Sequence, residues 1–335
     1  MKHKVLLLGI GYWGKKWLPI IMQNPNCELV GVAGSEIELA YAEENYNLKK
    51  EMQYTDFKQA ITNAKANIAI IVIPAVLHFE AASMALAHNM NVITEKPLAN
   101  NLEEAEKLLE IKKGHPELKY MASQNYRWRP HNQTLKNAIE SGMIGEVRNI
   151  HVIFRQHEHL EGFRGGLEQP LLQDMCIHHF DLIRFFTKSN CADIYCKVSR
   201  PAFSIFEGQP NADAIITMKN GVTVNYNGTW AARGKESSWD GNFIITGDKG
   251  CLYMDDETSV YYYQHDGTGV TPGTKGKLLP QPNMRYKEME YALYYLIDCI
   301  DKNITPETDL FDNYESFKMV CYGRESASKN ILIKL

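Results

Sequence analysis

The sequence lacks a basic stripe and lacks a hydrophobic run long enough to cross a membrane. Its 335 residues carry 36 Lys and Arg against 40 Asp and Glu, with the two signs interspersed and a formal net charge of −4. Nucleic acid therefore has no electrostatic surface to bind, and we expect no nucleic-acid partner. The longest apolar stretch, around residues 68–77, is far shorter than the roughly 20 residues of a membrane-spanning helix. We therefore expect no membrane association.

Paired cysteine motifs and an export signal are also missing. The seven cysteines are scattered and include no C-x-x-C pair. An odd set of this kind suits reduced thiols better than a disulfide framework, which predicts a reducing compartment such as the cytoplasm. The apolar run at the N-terminus ends at glycines followed by Tyr12, Trp13, Lys15 and Lys16, so we do not interpret it as a signal peptide.

The first third of the chain has the pattern of a parallel sheet. Residues 5–121 alternate short apolar runs with segments whose apolar residues recur at helical spacing. This alternation is typical of β-α-β units and predicts a sheet covered by helices on both faces. We place this doubly wound domain at residues 1–122.

The rest of the chain has a different pattern. Strand-like runs rich in Val, Ile, Thr and Tyr follow one another and are joined by turns such as Asn220-Gly221. Such a succession predicts a largely antiparallel sheet with helices beside it. The predicted fold class is therefore α/β, with the parallel domain followed by a second α/β domain at 123–335, whose last helix can pack back on the first domain.

A glycine pattern follows the first predicted strand. Gly9-x-Gly11-x-x-Gly14 lies between an apolar strand and a helix. Glycines permit a tight turn and close backbone approach, while the helix N-terminus favours a pyrophosphate. The pattern in this position predicts dinucleotide binding.

The end of the second predicted strand lacks the acid that commonly reads the adenosine ribose. The chain there reads Ala33-Gly34-Ser35-Glu36, with no Asp at the strand end and no Arg or Lys beside Ser35. Glu36 is a helix-start residue that can also reach the ribose, and Lys15 or Lys16 can supply a cation from the glycine loop. The cofactor stays open as NAD or NADP, with a slight lean to NADP.

Lys96 follows a predicted buried strand. Open α/β sheets bind their ligands at the carboxyl ends of the strands, where this lysine lies. Asn101 and Glu104 form a capping-box pattern that starts the next helix, so Lys96 lies in the loop between strand and helix. It is a candidate for chemistry, and the alternative is a surface lysine in a strand-to-helix loop, since Pro97 cannot donate to a ladder and often simply ends a strand.

Asp174 and His178 form a second polar pair. On a helix, residues four apart share a face, so the carboxylate and the imidazole can project together. A histidine with a pKa of about 6.5 can take and return a proton at neutral pH. Spacing alone also fits a solvated helix face on which the two residues merely pair.

Several segments, in chain order, resemble those of the Gfo/Idh/MocA family of NAD(P)-dependent oxidoreductases. They are the glycine loop at 9–14, Pro74 to His78, Glu95-Lys96-Pro97, Ser123 to Arg127, and Asp174-x-x-x-His178. The resemblance implies a Rossmann domain and a second domain whose open sheet forms a homodimer or homotetramer contact. It also implies that Lys96, Asp174 and His178 line the substrate beside the nicotinamide.

Further candidates are assigned on the same basis. The residues expected to bind the cofactor are Gly9, Gly11, Tyr12, Trp13, Gly14, Gly34, Ser35, Pro74, His78, Glu95 and Lys96. The residues expected to contact a sugar-like substrate are Tyr126, Arg127, Arg164, His179, Trp230 and Arg233. Arg and aromatic side chains bind hydroxyls and stack on sugars, although both are also routine surface and core residues. Equally, His78 is compatible with a simple helix start, and His179 with packing.

The expected reaction is hydride transfer between nicotinamide and a secondary alcohol of a sugar, polyol or cyclitol. In this hypothesis His178 removes the hydroxyl proton, Lys96 stabilises the developing alkoxide and Asp174 orients one of them. Three alternatives stay open: a non-catalytic NAD(P)-binding sensor, a redox-assisted glycosidase that keeps its NAD, and a metal site near His157 and His159. No metal is expected.

Overall fold

The computed structural model describes residues 2–158, 165–265 and 274–335. The chain divides into two compact units, one formed by Met1–Asn125 with Tyr286–Tyr314 and the other by Tyr126–Arg285 with Glu315–Leu335. The sequence predicted a boundary after residue 122, and the first continuous segment of the first unit ends at Asn125. Residues 286–314, which we had placed in the second domain, belong to the first unit.

The first unit contains a parallel sheet in the order β3-β2-β1-β4-β5-β6. All its strand pairs are parallel. Its strands are β1 (His3–Leu8), β2 (Cys27–Ala33), β3 (Gln53–Tyr54), β4 (Ile68–Ile71), β5 (Asn91–Thr94) and β6 (Tyr120–Ala122). Residues 5–8 of β1 and all of β4 are apolar and buried because helices cover a parallel sheet on both faces. This is the strand order of a Rossmann fold, as predicted.

Helices connect the parallel strands. They are α1 (Gly14–Gln23), α2 (Glu36–Tyr46), α3 (Phe57–Asn63), α4 (His78–Ala87) and α5 (Leu102–Lys113). The sequence analysis did not identify α3, whose seven residues are too few for a clear helical period. The carboxyl ends of β1, β2, β4 and β5 therefore all open into loops that precede a helix.

A helix from late in the sequence completes the first unit. The helix α8 (Glu288–Asp301) buries Met289, Leu293 and Leu296 and contacts α1. Beyond it, the Thr308 hydroxyl donates to the carbonyl of Ala122 at 2.9 Å. Nothing in the sequence indicated that α8 packs in the first unit, because the contact depends only on the apolar face of the helix.

The second unit is built on a sheet of strands from the described residues in the order β14-β13-β12-β11-β7-β10-β9-β8-β15. Only the β7 and β10 pair is parallel among the described pairs, so the sheet is largely antiparallel, as predicted. Its strands are β7 (Val147–Arg155), β8 (Cys191–Ser199), β9 (Asn211–Met218), β10 (Thr223–Thr229), β11 (Asn242–Gly247), β12 (Gly250–Met254), β13 (Val260–Gln264), β14 (Lys277–Leu278) and β15 (Ile333–Lys334).

The two faces of this sheet differ. On β7, Ile150, Val152 and Phe154 are fully buried, whereas His151 is exposed and Ile153 is 37% exposed. The strands β9 and β10 alternate in the same way. One face therefore packs into the core of the unit. The opposite face contains a depression of about 450 Å³ lined by residues of β7, β8, β9 and β10.

Helices complete the second unit. They are α6 (Pro130–Glu140) and α7 (Cys176–Thr187), and α9 (Leu310–Lys329) runs from the first unit into the second. A π-helical turn, Leu171–Met175, precedes α7, where the sequence predicted a continuous α-helix from about residue 174.

His179 links α7 to the second sheet through hydrogen bonds. Its ring is fully buried, with Nδ1 2.9 Å from the Tyr226 hydroxyl and Nε2 3.1 Å from the carbonyl of Trp239. A carbonyl only accepts, so Nε2 carries the proton and Nδ1 accepts from the tyrosine. Burial lowers the pKa of His179 to about 4, so the ring is neutral at physiological pH. His179 is therefore a packing residue.

No helix in the described ranges is long and apolar enough to cross a bilayer. All seven cysteines are free thiols. Burial raises the pKa of the Cys27 thiol to about 12, so this thiol stays protonated at neutral pH.

The buried neutral state of His179 predicts a loss of stability in mild acid. Its folded-state pKa lies below the unfolded value of about 6.5, so between these values the unfolded chain binds the extra proton and stability rises with pH. From pH 7 to pH 5 the wild type should lose about 2 kcal/mol through this residue. Urea unfolding of wild type and His179→Gln at both pH values measures it. An equal pH dependence in the two proteins would contradict the assignment.

Candidate active site

In the glycine loop after β1, the backbone packs closely against neighbouring backbone segments. Gly9 has φ +99°, and a Cβ there would lie 2.7 Å from the carbonyl oxygen of Val72. A Cβ on Gly14 would collide with the carbonyl of Gly9. The helix α1 begins at Gly14, so its N-terminal N–H groups face an anion placed at this loop. These residues fit the pyrophosphate of a dinucleotide.

Two aromatic residues of the same loop hold a cation. The Lys16 ammonium lies 4.4 Å from the ring centroid of Tyr12 and 4.3 Å from that of Trp13. Tyr12 is 71% exposed, which leaves most of its ring available to a ligand. The predicted cofactor residues Tyr12 and Trp13 therefore lie at a positively charged point of the loop.

An acid from the first turn of α2, Glu38, lies beside the end of β2, and the sequence analysis did not identify it. Ser35 is the N-cap of α2, and its backbone N–H donates to Glu38 Oε2 at 2.9 Å. The Ser35 hydroxyl accepts from the Glu38 N–H in return, completing a capping box. The Ser-x-x-Glu spacing was visible in the sequence. Its consequence, a carboxylate folded back over the strand end beside Gly34, was not.

Glu95, at the end of β5, is tied to the first helix. Its carboxylate accepts a hydrogen bond of 2.9 Å from the indole N–H of Trp17. Burial raises the pKa of Glu95, and the bond from Trp17 partly offsets this. Trp17 is fully buried and was not among the predicted residues. The bond fixes the start of the loop that contains Lys96.

His78 is tied to the same loop from the other side. The ring is 2% exposed, with Nδ1 2.6 Å from the carbonyl of Pro97 and Nε2 2.8 Å from that of Ile73. Burial lowers the pKa of His78, whereas the two carbonyl oxygens favour the protonated ring. Both ring nitrogens face backbone carbonyls. His78 therefore links the backbone at Ile73 to the backbone at Pro97, the residues next to Pro74 and Lys96 in the sequence.

Arg127 forms a buried ion pair in the second unit. Its Nε and Nη2 donate to the two oxygens of Asp181 at 2.7 Å each, and Ser316 donates to the same carboxylate at 2.7 Å. Arg127 is 3% exposed and Asp181 is 1% exposed. We predicted Arg127 as a substrate contact. The bidentate pair with Asp181 accounts for its position instead, because a buried guanidinium needs a compensating charge.

His178 is held by stacking. Its ring lies nearly parallel to that of Tyr126, with centroids 4.1 Å apart and an angle of 10° between the planes. The guanidinium of Arg129 lies 3.5 Å from the same Tyr126 centroid. Two planar groups at these distances cannot share one face, so Tyr126 lies between Arg129 and His178. His178 is 6% exposed, and its imidazole is therefore restricted to one plane.

A buried carboxylate anchors this stack. Asp240, 1% exposed, accepts hydrogen bonds of 2.6 Å from Arg129 and from the Asn132 amide. Burial opposes ionisation, but Arg129 and His131 lower the pKa of Asp240 well below its usual range. Neither Arg129 nor Asp240 was predicted, because nothing in the spacing of the two residues links them.

Asp174 lies in the π-helical turn before α7, four residues ahead of His178. Such turns are rare overall, and those that occur within α-helices are frequently found at functional sites. The sequence had predicted Asp174 on a regular α-helix.

The remaining predicted substrate residues separate by exposure. Trp230 is 1% exposed and packs against Phe154, so its ring offers no face to a ligand. The neighbouring Trp239, whose ring contacts that of Trp230, is 41% exposed and was not among the predicted residues. The guanidinium of Arg233 lies 3.9 Å from the ring of Phe203. Arg164 lies outside the described residues.

Among the described residues, no group of three or more His, Cys, Asp or Glu side chains is arranged to hold a metal ion. His159, part of the metal hypothesis, lies outside those residues.

Comparison with known proteins identifies both parts of the chain. Residues 3–143 match the model of the oxidoreductase family with an NAD-binding Rossmann fold. Residues 132–253 match the GFO/IDH/MocA C-terminal domain.

Characterised relatives are distant. An inositol 2-dehydrogenase of Pseudarthrobacter chlorophenolicus is 24% identical over 74% of this chain and 74% of its own length. A D-apiose dehydrogenase of Paraburkholderia graminis is 22% identical over 95% of this chain and 86% of its own. The crystal structure of an oxidoreductase from Agrobacterium radiobacter, in complex with NAD+, L-tartaric acid and magnesium, superposes with a TM-score of 0.87 at 19% identity, covering 100% of this chain and 98% of that one. The chain therefore belongs to the Gfo/Idh/MocA family of oxidoreductases with an NAD-binding Rossmann fold.

Proposed function

We propose that this oxidoreductase transfers hydride between the nicotinamide of NAD(P) and a secondary alcohol, or its carbonyl, on a sugar, polyol or cyclitol. The observation that carries the proposal is the imidazole of His178, held in one plane by Tyr126. A general base needs this kind of fixed orientation toward the proton that it removes. The activities of the inositol and apiose dehydrogenase relatives support the substrate class.

In this proposal, residues of the chain transfer the hydroxyl proton and stabilise the negative charge on the substrate oxygen. His178 removes the hydroxyl proton during oxidation and returns it during reduction. Lys96 stabilises the negative charge that develops on the same oxygen, and Asp174 orients one of these two groups. The bound dinucleotide supplies only the hydride acceptor or donor.

The reaction can be tested with NAD and NADP against a panel of polyols and aldoses, following the absorbance of the reduced cofactor. We expect His178→Ala to lower kcat by about 100-fold or more, since it removes the general base. The Kd for the cofactor, measured by titration, should stay within about threefold, because the residues of the glycine loop are unchanged. Comparable losses in kcat and in cofactor affinity would show that His178 is structural.

Two substitutions of Tyr126 separate stacking from substrate contact. Tyr126→Leu removes the ring that orients His178, so kcat should fall about tenfold or more with the pH profile displaced. Tyr126→Phe keeps the ring and should retain kcat and KM within about threefold of wild type. A raised KM in Tyr126→Phe with an unchanged kcat would instead assign the hydroxyl to direct substrate binding.

We also propose that the chain assembles into a homodimer or homotetramer through the open face of the second sheet. Support comes from the depression on this face and from Ile215 beside it, which is 58% exposed. Exposed apolar side chains in a continuous surface are typical of an interface. The seven free thiols support a reducing compartment such as the cytoplasm.

The substitution Ile215→Asp tests the interface. A symmetric contact brings the same surface of two copies together, so the new charges should repel and shift the protein toward monomer in sedimentation velocity. Ile304→Asp is the control, because Ile304 is 44% exposed but belongs to the first unit. A monomeric wild type, or equal dissociation in both variants, would overturn the proposal.

A further inference from the structure

The end of β2 decides which dinucleotide a Rossmann domain prefers. NAD-binding members of this fold place an acid there, where it accepts hydrogen bonds from the adenosine ribose 2′-OH. The same acid repels a 2′-phosphate. In this chain the strand ends at Ala33 and is followed by Gly34 and Ser35, neither of which carries a charge.

A carboxylate nevertheless occupies this end of the sheet. Glu38, in the first turn of α2, folds back so that Oε2 lies 2.9 Å from the backbone nitrogen of Ser35. A Cβ on Gly34 would lie 3.0 Å from the same oxygen. The side chain therefore covers the strand end rather than extending along the helix into solvent.

The second oxygen of Glu38 faces the glycine loop. A Cβ built on Gly11 would lie 3.6 Å from Oε1, with no other heavy atom as a close neighbour. Gly11 is the middle glycine, where the backbone approaches the pyrophosphate. The carboxylate thus borders both the loop and the strand end, two independent features of the adenosine side of the site.

We propose that Glu38 selects NAD over NADP by accepting hydrogen bonds from the ribose 2′-OH, in place of the missing strand-end acid. The bond from the Ser35 N–H restrains the carboxylate. It also occupies a backbone donor that a 2′-phosphate would otherwise use. The inference rests on the cofactor part of the proposed function, and it reverses the lean toward NADP that the sequence suggested.

The lysines that we considered as partners for a 2′-phosphate have other contacts. The Lys15 ammonium lies 4.0 Å from the ring centroid of Tyr41, and Lys16 lies against Tyr12 and Trp13. Aromatic rings hold these cations through their quadrupoles. Among the described residues, Glu38 is therefore the charged side chain that lies within 4 Å of the Cβ positions of both Gly34 and Gly11.

Calorimetric titration of the full-length protein with NAD+ and with NADP+ tests the proposal without turnover. Wild type should bind NAD+ at least about tenfold more tightly than NADP+, which is the scale of a close like-charge repulsion near a surface. In Glu38→Gln, NAD+ should bind more weakly and NADP+ more tightly than in wild type. The ratio of NAD+ affinity to NADP+ affinity should therefore fall about fivefold or more. Circular dichroism would verify that the variant folds, since Gln can still accept from the Ser35 N–H.

Glu44→Gln is the matched control, because it removes one negative charge from an exposed side chain later in the same helix. Its ratio of NAD+ to NADP+ affinity should stay within about twofold of wild type. A wild type that binds NADP+ equally or better, or an equal change of the ratio in Glu44→Gln, would overturn the proposal. Failure to bind either dinucleotide would overturn it together with the cofactor assignment. NAD+-selective binding without oxidation of any polyol would contradict only the proposed dehydrogenase reaction.

Discussion

The stack of Arg129, Tyr126 and His178 is the interaction on which the proposed chemistry depends. Aromatic stacking alone is worth about 0.5–1.5 kcal/mol, too little to immobilise a side chain against solvent. Here the guanidinium at one end is anchored by the buried carboxylate of Asp240. The ion pair between Arg129 and Asp240 therefore restrains the tyrosine ring, and the ring restrains the imidazole. A general base needs its orientation fixed by supporting residues of this kind.

The first unit uses the same strategy with backbone groups. Trp17 reaches Glu95 from α1, and His78 reaches the carbonyl of Pro97 from α4. Lys96 lies between these two bonded positions in the sequence. A lysine has several rotatable bonds, so rigid attachment of its backbone on both sides reduces the positions that its ammonium can sample. Burying polar residues at this sheet edge costs folding free energy. Their role in positioning Lys96 explains why the fold tolerates that cost.

Local sequence features predicted the architecture well. The parallel sheet followed from continuous apolar runs, and the glycine loop from its place between β1 and α1, because both signals are contained in short segments. The assignment of 286–314 to the first unit required a long-range contact. The Ser-x-x-Glu spacing of the capping box formed by Ser35 and Glu38 is visible in the sequence. The direction in which the Glu38 carboxylate points is not, because it depends on where the end of β2 lies in the fold. Likewise, Trp230 and Trp239 are indistinguishable in sequence, and only burial separates the enclosed ring from the exposed one.

Hydride transfer to a cofactor is the central claim, and deuterium tracing tests it most directly. The best alcohol substrate from the panel would be deuterated at its carbinol carbon and reacted in a single turnover with the enzyme and oxidised cofactor. The account predicts a primary isotope effect on the rate and deuterium at C4 of the reduced nicotinamide. Product formation without deuterium in the cofactor would contradict it.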